Sequence, residues 1–251
     1  MFAGDRVHRR QDRRRYPTCA SAALATKAGA GLRQEFDDGS DGLRIAVAGG
    51  FFADPGAIQA NEAVAAVARA LGADRVLELP EAARARVAAY VITASEGGIH
   101  HLPDLRWQAD KYDPNTRSRF LAGAVVPAAW VNFAQRFRSW YRERIREVFR
   151  QVDVILAPAT PCPAIRIGQS TITVNGAEVP ARANIGVFTQ PISFVGLPVV
   201  TVPVHSPGKL PIGVQLIGAP YQESKLLRVA WELQTARVVT APIAQWAGSV
   251  K

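Results

Sequence analysis

Between Leu43 and Gly98 the chain switches hydrophobic period twice, and few folds accommodate that. Leu43-Arg44-Ile45-Ala46-Val47-Ala48 is a short apolar run closed by Gly49-Gly50, the pattern of a buried strand. Asp54 is a suitable N-cap and Pro55 a suitable first-turn residue for a helix in which Ile58, Val64, Val67, Ala68 and Leu71 recur at helical spacing until Gly72. Arg75 to Leu79 reads as a second strand. Pro80 then opens a helix expected to reach about Ser95 and to stop at Gly97-Gly98. Strand, helix, strand, helix predicts an α/β fold with a mixed sheet covered by helices.

The rest of the chain extends that pattern. The spacing predicts a long helix from Pro127 to about Arg150, with Trp130, Phe133, Phe137, Trp140, Tyr141 and Val148 as a stripe packed on the sheet. Val152 to Ala157 is an apolar strand apart from Asp153, and Pro158-Ala159-Thr160-Pro161 must leave the sheet as irregular chain able to face a pocket. Thr171–Val174 and Ala177–Val179 flank Asn175-Gly176, a strong hairpin signal, read as a surface ornament. Val199–Val204 and Ile212–Ile217 are two more buried strands. Glu223 to about Val238 forms a last amphipathic helix through Leu226, Leu227, Ala230 and Leu233.

Charge separates a head from this body. Of the net charge of +9, residues 1–33 contribute +6, from eight basic residues (six of them arginines between Arg6 and Arg15) against Asp5 and Asp12. The remaining +3 is no basic face for nucleic acid. Cys19 and Cys162 cannot build a disulfide framework, and no Cys/His cluster has metal-ligand spacing, so the expectation is a cytoplasmic protein without metal or cofactor. The longest uncharged run, Ala183–Val204, carries Pro191, Pro198 and Pro203 and is a poor membrane helix. The head lacks the apolar region of a secretory signal.

Three segments together resemble a known family. They are Val152-Asp153-Val154-Ile155-Leu156-Ala157-Pro158-Ala159-Thr160-Pro161, Gly196-Leu197-Pro198-Val199-Val200-Thr201-Val202-Pro203 and Leu210-Pro211-Ile212-Gly213-Val214-Gln215-Leu216-Ile217-Gly218. In this order they are similar to the C-terminal blocks of the amidase signature family, and the resemblance extends over about residues 41–247. His101-Leu102-Pro103-Asp104-Leu105, Arg119–Ala124 and Gln135–Tyr141 are most similar to the carboxybiuret hydrolase type of amidase.

The resemblance implies hydrolysis of carboxamide C–N bonds by a serine relayed through a second serine to a lysine, with backbone N–H groups as the oxyanion hole. That machinery belongs upstream of the blocks seen here. The family's serine pair sits in a glycine-rich G-G-S-S-G run, whereas this sequence has no adjacent serines, and Lys27 does not precede such a loop. No catalytic residue is therefore assigned. The resemblance carries over a substrate-binding set only: Thr160, Thr189 and Gln190 in loops that border the active site, and Arg119 in a segment where amidotransferase-type members place a substrate arginine. Those amidotransferases have an acidic residue three positions before the threonine matching Thr189. Gly186 stands there, against a glutamyl-tRNA amidotransferase role.

Other readings are weaker. Ser95, His100 and His101 are close in sequence but lack an acidic orienter, and read as surface polar residues. Asp153 reads as a carboxylate that caps a neighbouring helix or faces solvent. Residues 1–40 match no family block and read as a disordered segment or the product of a misread frame; a basic tail binding nucleic acid is the alternative. The expected domains are thus a head, 1–40, and an amidase portion, 41–251, lacking its catalytic half. Its partners are a small amide substrate and either a second copy or a small partner subunit, with no nucleic acid and no membrane. The competing function is a non-catalytic module, either a truncated pseudoenzyme or a scaffold that pairs with another subunit through an open sheet edge.

Overall fold

The structure, a computed structural model, describes residues 38–241. Residues 1–37 of the basic head, with Cys19 and Lys27, lie outside that range.

The central sheet is built from β1 (Ile45–Ala48), β2 (Val76–Leu77), β3 (Val154–Pro158), β6 (Val199–Val204) and β7 (Ile212–Gly218), in the order β2-β1-β3-β7-β6. β1 runs parallel to both β2 and β3, while β7 is antiparallel to β3 and to β6, so the sheet is mixed as expected. β3 is buried along its whole length, because α1 (Ile58–Ala70) covers it and its neighbours through Val64, Val67 and Ala68. α7 (Glu223–Thr235) packs on β6 and β7 through Leu226, Val229 and Leu233.

β1 is flanked on both sides, as is β3, so the open edges of the sheet are β2 and β6. The longer of the two is β6. Gly218 N–H donates to Pro198 C=O at 3.1 Å, so by antiparallel alternation the N–H and C=O groups of Val199 and Thr201 point outward. Pro203 lies on that same outer side, where its missing N–H costs no ladder bond.

The remaining helices are α2 (Ala82–Gln108), α3 (Pro114–Ala124), α4 (Ala128–Val148) and the short α5 (Ala181–Asn184) and α6 (Gln190–Ser193). α2 corrects the sequence reading, since it passes straight through Gly97-Gly98 and Pro103. These glycines allow a close helix crossing rather than a stop. A Cβ at Gly98 would lie 2.3 Å from the Ala124 nitrogen, and one at Gly123 would lie 1.8 Å from the Ala94 carbonyl oxygen.

The aromatic stripe of α4 is also corrected. Tyr141 and Ile145 are buried, but Trp130, Phe133 and Trp140 are 62%, 66% and 43% exposed. Asp54 does not cap α1, whose N-cap is Ala57. The hairpin β4 (Thr171–Val174) and β5 (Ala177–Pro180) forms as predicted, with Asn175 and Gly176 at positive φ, yet it is no loose ornament: Ile172 is buried and Asp54 holds its turn.

Candidate functional site

β3 ends at Pro158, and the chain that leaves the sheet there forms one side of a cleft of about 1080 Å³. Thr160, Cys162 and Ile165 line it from this segment, and Thr171, Ala181 and Ile185 from the hairpin and α5. Thr160 is fixed by its own loop, its hydroxyl donating to the Cys162 carbonyl at 2.7 Å.

The opposite flank is the segment 181–190, which short-range bonds hold in shape. Thr189 Oγ1 donates to the Gly186 carbonyl at 3.1 Å, and a Cβ at Gly186 would come within 3.3 Å of that hydroxyl. Arg86 on α2 clamps the same segment: its Nε donates to Gln190 Oε1 at 2.8 Å and its Nη2 to Asn184 Oδ1 at 2.6 Å and the Ala183 carbonyl at 3.0 Å. Burial lowers the Arg86 pKa from its usual value, which leaves the guanidinium charged in any ordinary buffer.

A third clasp lies beneath. Gln215, 2% exposed on β7, donates through Nε2 to the carbonyls of Pro158 at 2.8 Å and Phe188 at 3.2 Å. One buried amide thereby ties the end of β3 to the 185–189 turn.

Of the four residues carried over as substrate-binding, Thr160 therefore lines the cleft, and Thr189 and Gln190 sit in the segment that carries Ile185 to it. Arg119 stands apart: on α3, it donates to Thr93 Oγ1 at 3.0 Å with its guanidinium 5.0 Å from the Tyr90 ring centre. α3 reaches the cleft at its other end, through Asn115, beside which Arg182 pairs with Asp113 at 3.0 Å. Sequence reasoning missed Arg86 and Gln215. Gln215 did leave a signal, a lone amide inside the apolar run Val214–Ile217; Arg86 left none, because it reads as one more charge on a solvated face.

The cleft can bind, but its described lining holds no activated nucleophile. Burial raises the Cys162 thiol, away from the reactive thiolate. Ser95 is buried against the α3 crossing, while His101 stacks on Phe120 and meets the Tyr112 hydroxyl at 3.2 Å, so these do not form a catalytic pair. Asp153 accepts from Arg44 Nε at 3.0 Å and from Lys225 Nζ at 2.8 Å. Desolvation pushes its pKa up, but those cationic donors outweigh it and hold the carboxyl well below the usual range, as befits a structural ion pair. Among the described residues no group of three His, Cys, Asp or Glu side chains could hold a metal, and no helix is long and apolar enough to cross a membrane.

This geometry has known counterparts. The amidase family profile matches residues 9–227, a span that begins inside the Arg-rich head and runs to α7. The chain belongs to the amidase family. The AtzE chain of the 1-carboxybiuret hydrolase of Pseudomonas sp. (strain ADP) is 48% identical over 199 residues, covering 78% of this chain and 43% of that protein. A glutamyl-tRNA(Gln) amidotransferase chain of Chlorobaculum parvum is 32% identical over 237 residues, covering 80% of this chain and 47% of that one. A chain from the solved structure of a vestigial protein complex that reveals the evolutionary origins of an s-triazine catabolic enzyme superposes with a TM-score of 0.78 at 44% identity, covering 82% of this chain and 46% of that chain. This amidase-family chain thus spans about half the length of the relatives it matches.

Proposed function

We propose that the chain forms the C-terminal portion of an amidase that hydrolyses small carboxamides of the carboxybiuret type, and that it contributes the scaffold and one wall of the substrate pocket. The observation that carries this reading is the 48% identity to the Pseudomonas 1-carboxybiuret hydrolase chain over 199 residues, 78% of this chain. Thr160 faces the substrate from that wall, and Thr189 and Gln190 belong to the segment that shapes its flank, with Arg119 outside it. The serine pair that performs the chemistry comes from a segment other than these residues, since the sequence has no adjacent serines.

Ammonia release from carboxybiuret and simple carboxamides tests it, measured for the chain alone and for the chain joined to the upstream half of the Pseudomonas relative. Activity in the joined protein and none in the chain alone supports the reading. If the joined protein folds but releases no ammonia, the second reading takes over: a non-catalytic module that pairs with another protein chain. The specific observation favouring that alternative is the open outer edge of β6.

A further inference from the structure

Three polar or charged side chains are buried among the described residues, and the fold accounts for two of them. Asp54 holds the hairpin turn, and Ser95 sits at the crossing of α2 and α3. The third, Gln215, stands inside the apolar run Val214–Ile217, where an apolar side chain would bury without desolvating an amide. Its Nε2 donates to two carbonyl oxygens at once, those of Pro158 and Phe188. The Phe188 carbonyl accepts from no other group among the described residues. The amide therefore offsets the repulsion between two like partial charges that point at one nitrogen.

Each carbonyl is tied closely to a residue that lines the cleft. Pro158 is two residues before Thr160, and Ala159 between them is fixed by its N–H donating to the Gly213 carbonyl at 2.9 Å. Phe188 is three residues after Ile185, in a turn closed by the Val187 N–H donating to the Asn184 carbonyl at 3.0 Å. Thr160 and Ile185 both line the cleft, from different segments. Connections this short and this well bonded pass a displacement of either carbonyl on to the lining residue. Arg86 bonds the 183–190 segment alone, whereas Gln215 bonds that segment and the end of β3 together.

We infer that Gln215 is a specificity-determining positioning residue: by holding the Pro158 and Phe188 carbonyls on one nitrogen it fixes the separation of Thr160 from Ile185, and so the bulk of the amide the cleft admits. The substrate class rests on the amidase reading above.

Biuret and 1-phenylbiuret, which differ by one ring, test the inference. Each is titrated into the full chain and followed through the backbone amide signals of Thr160 and Ile185. Gln215→Met keeps the length of the side chain but donates to neither carbonyl, so the two should separate. The ratio of phenylbiuret to biuret affinity should then rise about tenfold, the lower end of what a single group in an apolar pocket is worth. Gln215→Glu supplies a comparison within one folded protein. Its carboxyl can donate to one carbonyl when protonated and to neither when ionised, so its ratio should climb towards that of Gln215→Met as pH rises, while the wild-type ratio stays level. A residue that merely held the fold would change both affinities in proportion. That outcome overturns the inference, as does a Gln215→Glu ratio that ignores pH, or a full chain that binds neither amide.

The same ratio, read as kcat/KM in the chain joined to the upstream half of the Pseudomonas relative, separates this inference from the reading it rests on. Ammonia release with a ratio that Gln215→Met leaves unchanged overturns the role of Gln215 and keeps the amidase. A shifted binding ratio without ammonia release keeps the role of Gln215 and removes the amidase.

Discussion

Asp54 Oδ2 accepts a hydrogen bond from the backbone N–H of Asn175 at 2.9 Å, across 121 residues of sequence. The other carboxylate oxygen accepts from the Gly56 N–H at 2.8 Å, and Asn61 Nδ2 donates to the Asp54 carbonyl at 2.7 Å. One buried side chain therefore shapes the approach to α1 and fastens the hairpin that forms part of the cleft.

Asp54→Ala removes both side-chain bonds and leaves two N–H groups to find other partners. The expected cost is about 2–3 kcal/mol, or roughly 4–10 °C in melting temperature for a domain of this size. Amide exchange at Asn175 and Gly176 should accelerate more than exchange in β3. Equal acceleration everywhere would mean that the bond does not fasten the hairpin.

That contact also shows where the sequence stopped being legible. Strand and helix positions follow from local periodicity, so β1, β3, β6, β7, the hairpin and α7 were found close to their true limits. Asp54 has the chemistry of an N-cap, and nothing local shows that Asn175 competes for its carboxylate. Gly97-Gly98 has the composition of a helix end, and only the arrival of Gly123 against Ala94 shows why it is not one. The stripe on α4 was legible as apolar but not as two faces, because burial depends on what packs there. Thr160 followed from the end of a buried strand, whereas Arg86 acts through partners about a hundred residues away.

The helix crossing predicts a sharp contrast. Gly123→Ala places a methyl 1.8 Å from the Ala94 carbonyl oxygen, with backbone on both sides, and should cost about 3 kcal/mol or more. Gly97→Ala meets only the edge of the Phe120 ring, 2.9 Å away, which can move aside. Urea unfolding of the two variants should rank them in that order. Equal midpoints would show that the helices do not cross this closely in solution.

Asp153 predicts a pH dependence with a definite sign. Its folded pKa is depressed below its unfolded value, so the stability it contributes is fully present above the unfolded carboxylate range, near pH 4, and is lost as pH falls through the folded pKa. Asp153→Asn should cost about 1–2 kcal/mol at pH 7, given that Arg44 is half-exposed and partly screened. The gap between variant and wild type should narrow as the buffer is taken from pH 6 towards pH 3. A gap that stays constant would mean that the carboxylate is not the stabilising species.

Arg86 holds the segment 183–190 by three hydrogen bonds from α2, to Gln190, Asn184 and the Ala183 carbonyl. A neutral replacement of similar length, Arg86→Met, keeps much of the packing and removes all three, so the flank carrying Thr189 and Gln190 should open without loss of the sheet. The cost to folding should be about 1–3 kcal/mol, because the carbonyls freed at the surface can turn to water. On the proposed amidase reading the segment would act through position alone, so in the protein joined to its upstream half KM should rise about tenfold while kcat falls less. Arg86→Lys can restore one bond at a time but not the fork, and should recover only part of the loss. If kcat collapses while KM holds, Arg86 acts on the chemical step, and the segment it clamps is not simply a wall of the pocket.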